Sequence, residues 1–154
     1  MFANSASSRR ELLWAFAPLL IWVGVIFFLS SGNGSSAETS RIIRPLLEWL
    51  FPTADVSTID TYHLYIRKAA HFTEYFILAS LALRAFKTRW SKLIVAVISL
   101  LLVAAVASAD EFNQSFNPAR TSSPWDVGLD VLGGTTAIAL FLLLSSLLRG
   151  SARE

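Results

Sequence analysis

Three long runs without a charged residue constrain the fold of this chain more than any other feature. They cover residues 12–31, 93–109 and 131–148. An α-helix rises about 1.5 Å per residue, so the first run is about 30 Å long, the thickness of a membrane's hydrocarbon core. The other two are just long enough to cross it. Because only 16% of the residues are charged, against roughly 25% in soluble domains, we predict an all-α membrane protein.

The first apolar run has an alternative interpretation. Arg9 and Arg10 precede it and small residues follow it, which is also the pattern of a cleaved signal peptide. The apolar part of a signal peptide is usually about 7–15 residues long, whereas this run has 20. We therefore favour a membrane-spanning helix.

The composition excludes several kinds of site. The chain has no cysteine and only two histidines, His63 and His71. Disulfides, thiolate metal sites and multi-histidine zinc sites are therefore excluded. A net charge of +2 does not favour nucleic acid as a partner. We expect no metal and no cofactor.

Residues 66–86 are predicted to form a fourth, weaker membrane span. Only nine uncharged residues lie between Glu74 and Arg84, so hydropathy alone would miss this helix. The distribution of charge supports it, because short cytoplasmic loops are rich in Lys and Arg. The four predicted spans are residues 12–31, 66–86, 92–110 and 128–148.

With four spans, the N-terminus, the second loop and the C-terminus lie on one side. That side has eight of the 13 Lys and Arg residues and only two of the 11 acidic residues. We therefore expect a single domain, residues 1–154, in the bacterial cytoplasmic membrane with both termini cytoplasmic. A three-span chain would leave the basic loop at residues 84–92 on the same side as the acidic first loop.

The first outer loop contains a short amphipathic segment, residues 40–51. Its apolar residues recur at helical spacing, but twelve residues cannot cross the membrane. We predict an interfacial helix with Pro45 in its first turn and Trp49 at headgroup level. The Ser-rich stretch at residues 32–37 is interpreted as a linker before it.

The second long helix is predicted to begin near Thr58, with Ser57 in the position of a capping residue. His63, near the start of this helix, is interpreted as an anchor at the membrane interface. Five polar residues further along occupy an arc of about 120° on one face. They are Arg67, Lys68, His71, Glu74 and Tyr75.

A second polar group surrounds the connection between the third and fourth spans. Asn117-Pro118 marks a turn, and Ser123 before Pro124 is a plausible N-cap for the last helix. Gly133 and Ala137 form a small-residue pair suited to close helix packing. Charge facing lipid is costly, so we expect the polar ends of three helices to converge at the outer side. The residues of this second group are Asp110, Glu111, Gln114, Arg120, Asp126 and Asp130.

Two blocks of the sequence resemble the signature of the VanZ-like membrane protein family. They are RKAAHFTEYFILASLALRAF, residues 67–86, and ADEFNQSFNPARTSSPWDVGLDVLGG, residues 109–134. Ala119 and Asp130 depart from the family pattern, in which Gly and Asn are common. The matching positions are Lys68, His71, Phe72, Tyr75, Asp110, Glu111, Gln114, Phe116, Pro118, Arg120, Asp126, Val127 and Gly133.

The resemblance implies a link to glycopeptide resistance, because the family's namesake is associated with low-level teicoplanin resistance. It implies no agreed biochemical activity. From the residues themselves we predict a charged outer-leaflet site for an envelope amphiphile: a phospholipid, a wall-precursor lipid or a lipoglycopeptide. Arg side chains suit its phosphate or carboxylate. The expected partners are membrane lipids or a lipid-linked envelope component, with homo-oligomerisation left open.

Three alternatives stand beside binding. The cluster could be a structural ion-pair network that fixes helix register. It could be the site of a lipid-phosphate transferase or hydrolase, with His71, Glu111 and Arg120 as catalytic candidates. A divalent-metal version would use His71, Glu74, Asp110 and Glu111, but His-x-x-Glu spacing is common by chance. The third alternative is a small oligomeric transporter, which the absence of polar groups at the midplane disfavours.

Overall fold

The regular structure in the described residues is entirely helical, as predicted. The computed structural model describes residues 3–33, 36–87, 90–116 and 123–150. A short π-helical turn, Leu29–Asn33, follows the first helix. The α-helices are α1 (Ala3–Phe28), α2 (Ser36–Leu50), α3 (Val56–Phe86), α4 (Lys92–Gln114) and α5 (Pro124–Gly150).

Three of the described helical segments are long and apolar enough to cross a membrane: Arg9–Ser31, Lys92–Gln114 and Trp125–Leu148. They contain the three apolar runs of the sequence. Their outward faces expose large apolar side chains, among them Leu20, Leu101 and Leu147. Soluble monomers rarely expose apolar surface on this scale, so the chain is a membrane protein. The segment within α3 is not among the three, and its membrane span stays a prediction.

α3 is the central helix of the bundle. It packs against α1, α2, α4 and α5. The second half of its buried face contains three small residues beside Leu78 and Leu83: Ala79, Ala82 and Ala85. Small side chains let neighbouring helices approach closely, which explains how a single helix can contact four others.

Two glycines set the distance between α5 and its neighbours. A Cβ atom at Gly133 would overlap the backbone carbonyl of Phe72 on α3. One at Gly134 would lie 2.7 Å from Val103 Cγ1 on α4. The close approach expected near Gly133 is therefore confirmed. It brings α5 onto α3 beside His71.

α2 starts four residues earlier than predicted, at Ser36. Part of the segment interpreted as a linker is therefore helical. Pro45 lies in the interior of α2, so its placement in the first turn was wrong. The first turn contains Glu38, whose negative charge suits the positive end of a helix and which pairs with Arg41 at 3.3 Å. α2 ends at Leu50, just before Pro52, as expected.

α3 begins at Val56, and its N-cap is Asp55 rather than Ser57. An Asp55 carboxylate oxygen accepts a hydrogen bond from the Thr58 backbone N–H at 2.9 Å. The Ser57 hydroxyl donates to the other oxygen at 3.0 Å, so it supports the cap instead of forming it. The hydrogen bonds from Thr58, aided by that from Ser57, lower the pKa of Asp55.

Pro18 leaves a gap in the hydrogen bonding of α1. Proline has no N–H, so the carbonyl of Trp14, four residues earlier, has no helical donor. The Arg84 guanidinium on α3 donates to this carbonyl at 3.1 Å. This hydrogen bond joins α1 to the C-terminal end of α3.

The start of α5 follows the prediction. Its first residue is Pro124, and the Ser123 hydroxyl accepts a hydrogen bond from the Trp125 N–H at 3.3 Å. Proline suits this position because the N–H it lacks would be unpaired there. The predicted turn at Asn117-Pro118, together with Arg120, lies outside the described residues.

Candidate functional site

A pocket of about 140 Å³ opens at the end of the bundle where α1 ends and α3 begins. Residues of α1, the π-helical turn, α2, α3 and α4 line it. Its apolar lining residues are Ile26, Leu29, Ile43, Ile66 and Ala70. Its polar lining residues are Ser30, Thr39, Arg67, His71, Glu74, Asp110 and Gln114.

Asp110 is the most constrained polar residue of this site. It is 2% exposed. Its Oδ2 accepts hydrogen bonds from the Tyr75 hydroxyl at 3.2 Å and from the Gln114 amide at 3.0 Å. The predicted shared face of Asp110 and Gln114 is thereby confirmed. Its other oxygen, Oδ1, is buried without a hydrogen-bond partner among the described residues.

His71 and Asp130 meet beside Asp110. The distance from His71 Nδ1 to Asp130 Oδ1 is 3.5 Å, longer than an ordinary hydrogen bond. Both atoms are buried, and neither has a hydrogen-bond partner within the described chain. One potential ligand atom from each of His71, Asp110 and Asp130 lies within 4.8 Å of the others. Three helices thus each contribute one group to a compact buried cluster.

Two other predicted acids have separate partners. Asp126 pairs with Lys68 at 2.9 Å, in a partly exposed position one turn before Asp130. Glu111 accepts a hydrogen bond from the Ser123 backbone N–H, which ties the end of α4 to the start of α5. The predicted convergence of three helix ends is therefore observed, but as several separate contacts instead of one ionic cluster.

Arg67 and Glu74 face the pocket. Arg67 is partly buried and forms no ion pair with another residue in the described ranges. Glu74 lies two turns further along α3, and its backbone carbonyl accepts a hydrogen bond from the Trp22 indole at 2.9 Å. That bond joins α1 to the polar end of α3. Arg120, the remaining predicted base, lies outside the described residues.

Sequence reasoning missed the contribution of the first loop to this site. Thr39 of α2 contacts His63 Nε2 at 3.2 Å, and Ser30 accepts a hydrogen bond from Asn113 at 3.4 Å. His63 was interpreted as an interface anchor, but it is buried against α2. Burial, aided by the charge of Arg67, lowers the pKa of His63 and favours its neutral form. The only signal in the sequence was the amphipathic pattern of α2, which does not show where that helix docks.

Comparison with known proteins gives one positive result. The family model described as VanZ/LLP1 matches residues 15–145, most of the chain. No curated protein and no solved structure matches. The matched region contains α3, α4 and every described residue of the pocket and the buried cluster. On this evidence the chain belongs to the VanZ/LLP1 family.

Proposed function

We propose that this protein binds the anionic headgroup of an envelope amphiphile in the pocket beside Arg67. The ligand class includes phospholipids, wall-precursor lipids and lipoglycopeptides such as teicoplanin. In the proposed arrangement, four spans and cytoplasmic termini place the pocket at the outer leaflet of the cytoplasmic membrane. α2 then lies along the same surface as an interfacial helix.

One observation supports this function above the others: the pocket joins an apolar wall to a guanidinium. Ile26, Ile43 and Ile66 line the same space as Arg67. An amphiphile presents both kinds of surface, an acyl or prenyl chain and a phosphate or carboxylate. Arg binds such anions through two parallel hydrogen bonds.

Packing supports α3 as the fourth span. Its buried stretch from Tyr75 to Ala85 lies against α4 and α5, which both have the length and hydropathy of membrane helices. A helix packed along two spans shares their depth. The charged start of α3 is then sheltered by protein, which avoids the cost of facing lipid.

Lipid analysis tests the proposal. We expect wild-type protein, purified in mild detergent, to retain an anionic lipid that native mass spectrometry identifies. Arg67→Gln should lose most of it, because a hydrogen bond to a charged group contributes about 1.5–3 kcal/mol, or roughly tenfold or more in affinity. In phosphatidylcholine vesicles, binding should rise when phosphatidylglycerol or a polyprenyl phosphate is added. The lipid that raises binding more shows which class of lipid supplies the anionic headgroup.

Arg41→Gln is the matched control. Arg41 is an exposed arginine of α2 whose partner is Glu38, and it does not line the pocket. This variant should retain lipid as wild type does. Equal lipid occupancy in Arg67→Gln and wild type would show that the pocket is not the binding site.

A further inference from the structure

The buried cluster of His71, Asp110 and Asp130 combines two carboxyl groups and one imidazole. Asp110 and Asp130 are each 2% exposed. Within the described residues, no Lys or Arg forms an ion pair with either carboxylate. Even a protonated His71 would balance only one of them. Buried charges are paired or bind metal ions, so a bound cation would stabilise the charged form of this cluster.

Each residue of the cluster has one buried polar atom without a hydrogen-bond partner among the described residues. These atoms are His71 Nδ1, Asp110 Oδ1 and Asp130 Oδ1. A polar atom left in this state costs free energy, and three of them at one point indicate a shared ligand. A bound divalent cation would satisfy all three and balance both carboxylates.

The spacing fits an ion with short bonds. Two ligands about 2.1 Å from a tetrahedral metal lie about 3.4 Å apart, and His71 Nδ1 lies 3.5 Å from Asp130 Oδ1. One ligand atom of each residue lies within 4.8 Å of the others, so the farthest pair must move closer to complete a tetrahedral site. Gly133 lets α5 pack close to Phe72 of α3, and this packing brings Asp130 near His71.

Asp110 is already oriented as a metal ligand would be. Tyr75 and Gln114 both donate to Oδ2, which fixes the carboxylate and leaves Oδ1 without a hydrogen bond among the described residues. Outer hydrogen bonds of this kind orient the ligands of metal sites.

We propose that His71, Asp110 and Asp130 bind a divalent transition-metal ion. One imidazole and two carboxylates suit Zn²⁺ or Mn²⁺. Three protein ligands leave a coordination position open. His71 and Asp110 also line the pocket, so the open position faces it and can take water or an oxyanion. The proposed metal ligands do not include Arg67, so metal binding can be tested apart from headgroup binding.

Metal titration tests this proposal. Full-length protein is purified in detergent, treated with a chelator, and titrated with Zn²⁺ and with Mn²⁺ by isothermal calorimetry. We expect about one ion per chain for at least one metal. Asp130→Asn and His71→Gln should each weaken binding by more than about tenfold, since even outer-sphere substitutions in metal sites cause losses of this size.

Two controls separate this result from a general change of charge. Asp126→Asn removes an acid one turn away on the same helix, and Arg41→Gln removes an exposed base of α2 that does not line the pocket. Both should bind metal as wild type does, and the titration contains no added lipid, so it measures metal binding apart from headgroup binding. Added metal should raise the unfolding temperature of wild type but not of His71→Gln or Asp130→Asn. Failure of wild type to bind either metal, or unchanged affinity in both ligand variants, would overturn the proposal.

Discussion

At the scale of single residues, the site depends on how closely two helix backbones approach. His71 and Asp130 can approach each other because Gly133, about one turn after Asp130 on α5, packs against Phe72 of α3. A Cβ at Gly133 would overlap the Phe72 carbonyl, whereas one at Gly128 would meet nothing within 4 Å. The two glycines lie on one helix and differ in their surroundings.

This pair gives a matched stability test. Gly133→Ala should destabilise the protein by about 1–3 kcal/mol, the usual cost of overpacking. Gly128→Ala should be neutral or stabilising by up to about 1 kcal/mol, because alanine is the better helix former. Thermal unfolding in detergent, followed by circular dichroism, measures both. A Gly133→Ala variant as stable as Gly128→Ala would show that the helices are not in contact there.

The residue types of the site were predictable from sequence, but their pairing was not. Helical spacing placed His71, Asp110 and Asp130 among the candidates because charge cannot face lipid. It could not reveal that Lys68 pairs with Asp126 while Asp130 turns toward His71. The metal alternative considered from the sequence included Glu111, whereas Glu111 accepts a hydrogen bond from the Ser123 N–H. These choices depend on helix rotation, which packing at Gly133 and Gly134 sets.

At the scale of elements, the start of α3 depends on a charged cap. The pKa of Asp55 lies below its ordinary value of 3.8, so the folded state favours the carboxylate. This contribution to stability is complete above 3.8 and is lost as the pH falls through the lower pKa of the folded protein. The segment is exposed, so screening by solvent keeps the effect on stability small.

The cap predicts a pH-dependent mutant effect. Asp55→Ala should lower the unfolding temperature by a few degrees at about pH 7, and the difference from wild type should shrink at about pH 2. Asp55→Asn, which also caps but does not titrate, should remain close to wild type at neutral pH. Calorimetric scans at the two pH values provide the measurement. A deficit in Asp55→Ala that is the same at both would exclude a role for the carboxylate charge.

The helices themselves were largely predictable, and their ends less so. Long apolar runs located α1, α4 and α5, because a membrane span needs about 20 apolar residues. The start of α2 was missed because serine-rich sequence resembles a linker. The start of α3 was misplaced because Ser57 and Asp55 can both cap a helix, and only the three-dimensional path of the chain after Pro52 distinguishes them.

At the scale of the whole molecule, the pocket end and the basic end of the bundle should lie on opposite sides of the membrane. The chain has no cysteine, so single-cysteine variants need no further change. With four spans, cysteines at Trp49 and Ser115 should react with an impermeant maleimide in intact cells. Those at Arg10 and Lys87 should react only after permeabilisation.

The same labels distinguish three spans from four. If α3 did not cross, positions 49 and 87 would lie on one side and react together. Labelling of position 115 only after permeabilisation would contradict the proposed orientation and remove the pocket from the outer leaflet.

The bond between Arg84 and Trp14 bears on the path of α3. Pro18 frees a carbonyl of α1 near the basic end of that helix. If α1 and α3 both cross the membrane, Arg84 can reach that carbonyl only when α3 returns to the side where α1 begins. In the four-span arrangement, α1 therefore offers a docking point to the helix that hydropathy alone would leave outside. The same bond would then hold α3, and the pocket residues that it carries, within the bundle.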